Sequence, residues 1–310
     1  MKMIEINIIH NVAHEQYWKM LIVFYFFFTG VSAGACHYSS VYALIGYKKF
    51  APIGKWAALI SLIGFLVTPL LLIFDLEQSA RFFYFMFLFN PKSAFFYGTI
   101  LLAAYPMALA AYSWYLFHEK RWKSSERFKK IGPVISTVVL PLAVTVHAYT
   151  GFVFGVVKAR GFWFTSVMPM YFLMGALVSG FAAVLLFAIA KQKWDNRTIG
   201  RSDMTDEVIQ ISRKIVAWLV CIYPAFIIPL IIMDLYGPYE AYAGGMLAIH
   251  ESMFVIGDLL IGIILPLAIL THPRTRSNYF WISVACIMAI IGVFAGRYTI
   301  VYTGQLVPLS

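Results

Sequence analysis

Charged residues are scarce in this 310-residue chain: 12% are Asp, Glu, Lys or Arg, where a soluble domain carries about 25%. So few charges exclude an ordinary soluble fold, and 61% of the residues are hydrophobic. Cysteine is scarce as well. Cys36, Cys221 and Cys286 all lie inside apolar runs, and none belongs to a CxxC pair. That pattern suggests neither a disulfide framework nor a thiolate metal site, and it fits small buried hydrophobes. There is no Walker loop, no GxGxxG fingerprint and no HExxH pair, so nothing here holds a large redox cofactor outside a bilayer. No basic stripe or nucleic-acid motif accompanies the net charge of +10, so nucleic acid is not an expected partner. A cleavable signal peptide is not expected either: residues 1–19 are polar and aromatic, and the first apolar run exceeds a signal h-region.

Long apolar runs are abundant. A bilayer-spanning helix needs about 20 mostly apolar residues, because the hydrocarbon layer is about 30 Å thick. Eight such runs are read, at 19–47, 53–75, 95–117, 131–157, 164–190, 213–235, 247–271 and 279–302. The expected fold is all-α: a polytopic bundle of eight transmembrane helices forming a single membrane domain over residues 1–310. Pro52, Pro91, Pro133 and Pro273 punctuate helix ends. Pro69, Pro106, Pro141, Pro169, Pro224, Pro229 and Pro266 read as internal, a position that neighbouring helices in a membrane bundle can accommodate.

Most of the 24 Lys and Arg fall in the loops after spans 1, 3, 5 and 7. By the positive-inside rule those loops face the cytoplasm, and both termini lie outside it. The expected location is the inner or plasma membrane. Asp75, Glu77, Asp234, Glu240 and Glu251 then gather on the outer side.

Ionisable groups inside a bilayer cost about 2.5–3.5 kcal/mol each on insertion scales, so they are candidates for function. The assumed topology brings Tyr25 on the first span, Asp75 and Glu77 at the end of the second, Arg81 just beyond, and His147 and Tyr149 on the fourth to one outer depth. An apolar cleft with a few convergent donors and acceptors suits a quinone, which has a flat ring, two carbonyls and an apolar tail. A carboxylate with Tyr or His nearby can handle the two protons that accompany two electrons. Each residue also has a plainer reading. Tyr25 and Tyr149 fit an aromatic belt, Asp75 and Arg81 an interfacial ion pair, and His147 a bond to a backbone carbonyl. Asp258 lies near the midplane of the seventh span and fits either a proton relay or a helix-packing contact. Arg213 fits a basic anchor at the inner face, and Arg297 a side chain that snorkels outward. A bis-His haem needs two imidazoles at one depth. His37 lies in the inner half of its span and His147 in the outer half, so no haem is expected.

The stretch LLIFDLEQSARFFYFMFLFNPKSAFFYG at 71–98 resembles the signature of the NrfD-like family, the membrane subunits of polysulfide, tetrathionate, nitrite and related respiratory reductases. TGVSAG at 29–34, HAYTGFVFG and WFTSVMPMYFLMGALVSG within 147–180, and GRYTIVYTGQ at 296–305 are similar as well. The resemblance implies a membrane-anchor subunit that binds menaquinone or ubiquinone near the outer face. It also implies electron exchange with an iron–sulfur (ferredoxin-like) subunit docked there, which serves a molybdopterin or multihaem catalytic subunit. Iron–sulfur clusters, molybdenum cofactor or haems would belong to those partners. By the same resemblance Tyr149, 14 residues before Trp163, matches a quinone-contacting tyrosine, Glu77 and Asp75 match the acidic positions before Arg81, Arg213 matches an Arg of the proposed proton path, and Asp258 matches an acidic residue in the seventh helix of many relatives. The family's first-helix Asn and His are replaced here by Ile22 and Tyr25, leaving His147 or His14 as imidazoles that could take the role. Two other readings stay open: an ion or solute transporter using Asp258 and Arg213, although no internal repeat is evident, and a b-type cytochrome subunit.

Overall fold

The computed structural model describes residues 18–45, 48–76, 79–81, 84–87, 90–122 and 126–307. Among these the chain is helical throughout, with no strand. The elements are α1 Met20–Ile45, α2 Ala51–Asp75, α3 Tyr84–Phe87, α4 Ala94–Trp122, α5 Glu126–Gly155, α6 Met168–Thr198, α7 Asp206–Ile222, α8 Pro224–Leu235 and α9 Tyr239–His250. A π-helical segment, Met253–Ile264, then runs into α10 Leu265–Thr271, and α11 Tyr279–Leu306 closes the order. Eight helical stretches are long and apolar enough to cross a membrane. The protein is therefore a multi-pass integral membrane protein. An even number of crossings brings both described chain ends to one face, called here the terminal face.

The α1, α2, α4 and α5 helices form one group, and α6, α7–α8, the π segment with α10, and α11 form the other. α1 and α6 join the two groups. Where they cross, Gly34 and Gly180 bring backbone against backbone, and a Cβ on either would collide with the other helix. Lipid offers little hydrophobic drive for helix pairing, so close approach through small residues supplies the dispersion contact instead. Ile63, Leu66 and Met107 point away from the bundle, as lipid-facing side chains do.

Several helix ends differ from the expected ones, and proline chemistry explains most of them. Pro169 is not internal; it sits in the first turn of α6, where its missing N–H costs little. Pro224 separates α7 from α8, and Pro266 stands at the π-to-α10 junction. α7 starts at Asp206, about two turns before Arg213, because the Thr205 hydroxyl caps the Val208 N–H at 3.5 Å. Acidic Asp206 and Glu207 in the first turn suit the helix dipole. Asn278 caps α11 through the Phe280 N–H at 2.9 Å.

The two chain ends are tied together at the terminal face. Trp18 N–H donates to Gln305 Oε1 at 2.8 Å, and Gln305 Nε2 donates back to Trp18 O at 2.9 Å. Trp18 stacks on Trp163 with ring centroids 5.2 Å apart. Trp163 is fixed in turn by Nε1 donating to Ile300 O at 2.8 Å. This clamp positions Trp18 at the rim of the site described next.

Candidate functional site

A cavity of about 390 Å³ opens among the terminal-face ends of α1, α2, α4 and α5. Four helices converge there, each offering one face. From α1 come Ile22, Tyr25 and Phe26; from α2, Pro69, Leu72 and Asp75, with Leu76 at its C-cap. α4 contributes Phe95, Gly98, Thr99 and Leu102, and α5 contributes Tyr149, Thr150 and Val153. The spacings 22–25–26, 69–72–76, 95–98–99–102 and 149–150–153 are single helix faces at 3.6 residues per turn. The wall is largely apolar, with two phenols, one carboxylate and two threonine hydroxyls set into it.

The polar groups are held differently. Tyr149 forms a hydrogen bond with the Gly98 backbone, and its ring fills the space where a side chain at residue 98 would be. Tyr25 is 8% exposed, packs edge-on against Phe26 with centroids 5.1 Å apart, and directs no hydrogen bond to a described residue. Its hydroxyl is thus left for whatever occupies the cavity. Asp75 ends α2 and also lines the cavity, and Lys19 is the cation whose charge reaches it. Thr150 is committed locally, donating to His147 O at 2.6 Å.

Tyr25, Asp75 and Tyr149 therefore meet in one cavity, and among the other described candidates His147 and Arg81 do not join them. His147 is fully buried behind the cavity, on the face of α5 turned to α6. Its Nε2 bonds Phe172 O at 2.7 Å, and Nδ1 has no partner among the described residues. Arg81 is exposed in a short 3-10 turn and makes no ion pair with Asp75. Glu77 and His14 lie outside the described residues.

A second polar cluster sits deep in the other helix group. Asp258, fully buried in the middle of the π segment, accepts from Tyr171 Oη at 3.4 Å, while its Oδ1 has no partner. Arg297 does not snorkel as expected. It is 1% exposed, and Nη2 donates to Phe172 O at 2.6 Å. Its guanidinium lies 3.8 Å from the centroid of the Phe172 ring and 5.1 Å from that of Tyr171. Among the described residues its Nε and Nη1 are without a partner, and the Tyr223 hydroxyl lies toward that of Tyr171. Gly175 and Gly296 make room for this cluster: a Cβ on Gly175 would crowd Arg297 at 2.7 Å, and one on Gly296 would press into Tyr171 and Asp258. Arg213 is separate. It bonds Leu270 O through Nη1 and Gln210 Oε1 through Nε at 2.8 Å. Leu270 is twelve residues beyond Asp258 on the same crossing, so about 18 Å of helix separates the two.

Sequence reasoning allowed Asp258 a packing contact to a Ser, Tyr or Arg but did not identify Tyr171 as the donor or Arg297 as the nearby charge, and it missed Gly98 and Trp18 as shapers of the cavity. Among the described residues no cluster of three or more His, Cys, Asp or Glu could hold a metal ion.

A family model described as polysulphide reductase, NrfD, matches residues 10–308. A selenate reductase subunit of Mesobacillus selenatarsenatis is 24% identical over 94% of this chain and 74% of its own length. A polysulfide reductase chain of Wolinella succinogenes is 26% identical, covering 94% of this chain and 96% of the relative. The integral membrane subunit of an Hdr-like menaquinol oxidoreductase of Archaeoglobus fulgidus is 24% identical over 91% of this chain and 69% of that protein.

Proposed function

The chain belongs to the NrfD polysulphide reductase family of reductase membrane subunits, and on that footing we propose that its terminal-face cavity binds a membrane quinone. The observation that carries this reading is the convergence of Tyr25, Asp75 and Tyr149 on one otherwise apolar cavity of about 390 Å³. Its size falls in the usual range for small-molecule sites, about 300–1,000 Å³. The name of the Archaeoglobus relative, a menaquinol oxidoreductase subunit, points the same way.

The residues fit the chemistry of the group. The unpartnered Tyr25 hydroxyl is a donor for a ring carbonyl. Tyr149, held by Gly98, presents a second phenol at a fixed place. Asp75, at the mouth, is the group able to accept or give up a proton as the quinone gains or loses its hydrogens. Apolar Ile22, Leu72, Leu102 and Val153 suit the ring faces and the root of an isoprenoid tail. A quinone supplies two-electron, two-proton redox chemistry between the lipid and a partner.

In this reading the terminal face is the outer face of the inner or plasma membrane, and the basic loops lie in the cytoplasm. An iron–sulfur subunit docks on the outer face and passes electrons between the cavity and a molybdopterin or multihaem catalytic subunit. The chain is thus one subunit of a quinone-linked oxidoreductase and does not act alone on the terminal substrate. Menaquinone and ubiquinone both satisfy the donors present. Asp258, with Arg297 and Tyr171 around it, is the group suited to proton movement in the second helix group, with Arg213 toward the basic face.

The test is turnover of the whole complex with quinol and, separately, with an artificial dye that reacts with the partner subunits. Tyr149→Phe and Asp75→Asn should each lower quinol-linked turnover at least tenfold and leave the dye reaction intact. Unchanged quinol turnover in both variants rules the site out.

A further inference from the structure

The first helix group carries a chain of buried hydroxyls that the cavity itself does not use. On α1, Ser32, Cys36, Ser39 and Ser40 follow Tyr25 and Thr29 at intervals of three and four residues, which places all six on one helix face. From Ser39 to Tyr25 is fourteen residues, about 21 Å along the axis. All of them are buried.

The stripe is hydrogen-bonded across helices. Near the basic face, Tyr112 of α4 bonds Ser39 at 3.0 Å and also reaches Ser40 and Ser136 of α5. Ser40 meets Cys36 at 3.7 Å. The Cys36 thiol reaches Tyr105 of α4 and Ser61 of α2. Ser61 lies 3.4 Å from the Tyr105 hydroxyl and 3.2 Å from Ser32. One turn above Ser32 stands Thr29, whose hydroxyl donates to Tyr25 O of its own helix at 2.7 Å, and one turn above that the Tyr25 phenol looks into the cavity. Tyr105 is likewise one turn below Leu102, a cavity residue.

Elsewhere in the membrane spans, serine and threonine hydroxyls mostly fold back onto their own helix. Thr99 bonds Phe95 O, Thr145 bonds Pro141 O, Ser179 bonds Gly175 O and Thr299 bonds Ala295 O. Such local bonds satisfy a hydroxyl without a neighbour. Pinning α1 to α2 needs only the bonds from Ser32 to Ser61 O and from Ser39 to Gly54 O, both 2.7 Å. It does not need a second hydroxyl or thiol within reach of each of those groups, nor two fully buried tyrosines bridging them. Groups that can both donate and accept are what proton hopping requires, and from Tyr112 to Ser32 they follow one another within reach.

We propose that this ladder, from Ser136 and Tyr112 through Cys36, Tyr105, Ser61 and Ser32, carries protons between the basic face and the cavity. The inference rests on the quinone reading of the cavity. Reducing one quinone there forms two O–H bonds and consumes two electrons and two protons. The electrons come from a one-electron donor docked at the terminal face; the protons arrive along the ladder from the opposite face. Water entering from the cavity bridges the last turn, past Thr29. Oxidising a quinol runs the same steps backwards. The route lies wholly in the first helix group, so Asp258 is not on it.

The complex, reconstituted in vesicles, decides the matter through quinol-linked turnover, its solvent deuterium isotope effect and quinol KM. Tyr105→Phe keeps the ring and its edge contact with Phe65 but removes the bridging hydroxyl. It should cut turnover about tenfold or more and raise the isotope effect, with KM unchanged. Cys36→Ala should act in the same direction, and Cys36→Ser, which restores a hydroxyl, should match or exceed the parent protein. A lower melting temperature with unchanged turnover and isotope effect in Tyr105→Phe and Cys36→Ala overturns the ladder and leaves the cavity reading standing. Absence of quinol-linked turnover in the parent complex overturns the cavity reading, and the ladder with it.

Discussion

His147 and Arg297, on α5 and α11, bond the same carbonyl oxygen, that of Phe172 on α6, at 2.7 and 2.6 Å. One backbone acceptor thus ties a helix that lines the cavity to the helix that faces Asp258. Gly30 on α1 completes the packing: a Cβ there would sit 3.1 Å from the His147 ring.

That shared acceptor makes the Arg297 charge hard to remove alone. Arg297→Leu strips the Phe172 carbonyl of one donor and removes the positive charge nearest in effect to buried Asp258. The two are not hydrogen-bonded to each other, and the guanidinium acts on the carboxyl through its field across a buried, water-poor gap. Thermal unfolding of the purified complex should therefore show a large drop for Arg297→Leu, and Asp258→Leu combined with it should recover much of the loss. An additive double variant would mean that the two charges do not communicate.

The cavity depends on a missing side chain. In Gly98→Ala the added methyl meets the Tyr149 ring at contact distances no packed pair tolerates, so the phenol must swing away. The expected result is a quinol KM raised about tenfold or more, with assembly retained. Tyr149→Phe should lower kcat instead, because it removes the hydroxyl without moving the ring.

The α1–α6 crossing should be among the least tolerant positions in the bundle. Gly34→Val forces its side chain into the Ala176 carbonyl, which is backbone and cannot yield. Loss of the subunit from the membrane fraction is the expected outcome. The same change at Gly64, whose nearest neighbour is the Ser32 side chain at 3.6 Å, should be far milder.

At the terminal face, Gln305→Ala removes both hydrogen bonds that hold Trp18. Trp18 retains its stack on Trp163, so folding should survive with a small loss of thermal stability. The change should appear in quinol KM, since Trp18 lines the cavity.

Much of this architecture is legible in the sequence because its determinants are local and one-dimensional. Eight apolar runs give eight crossings by length alone. Depth along each run is also readable, which is how Tyr25, Asp75 and Tyr149 can be placed at one level from the order of residues alone. Direction around the helix axis is not readable that way. His147 shares the depth of Tyr149, but two residues correspond to about 200° of rotation, and it faces α6 instead of the cavity. Arg297 is misjudged for a different reason. It lies nine residues before the end of α11, about 14 Å of helix, too far for its side chain to reach water, and only the partners on α6 make its burial bearable. The proline breaks at Pro224 and Pro266 look in sequence like interior prolines, because a helix restart and a tolerated kink share the same apolar surroundings. The start of α7 was visible in principle: Thr205 followed by Asp206 and Glu207 is a capping pattern.

The quinone assignment is tested most directly by a photoactivatable quinone analogue, cross-linked in the native complex and located by peptide mass spectrometry. The label should fall on peptides of α1, α2, α4 or α5 that contain Tyr25, Asp75, Gly98 or Tyr149, and excess natural quinol should compete it away. Competable labelling confined to the segments around Asp258 or Arg213, with the cavity peptides unmodified, would contradict the assignment.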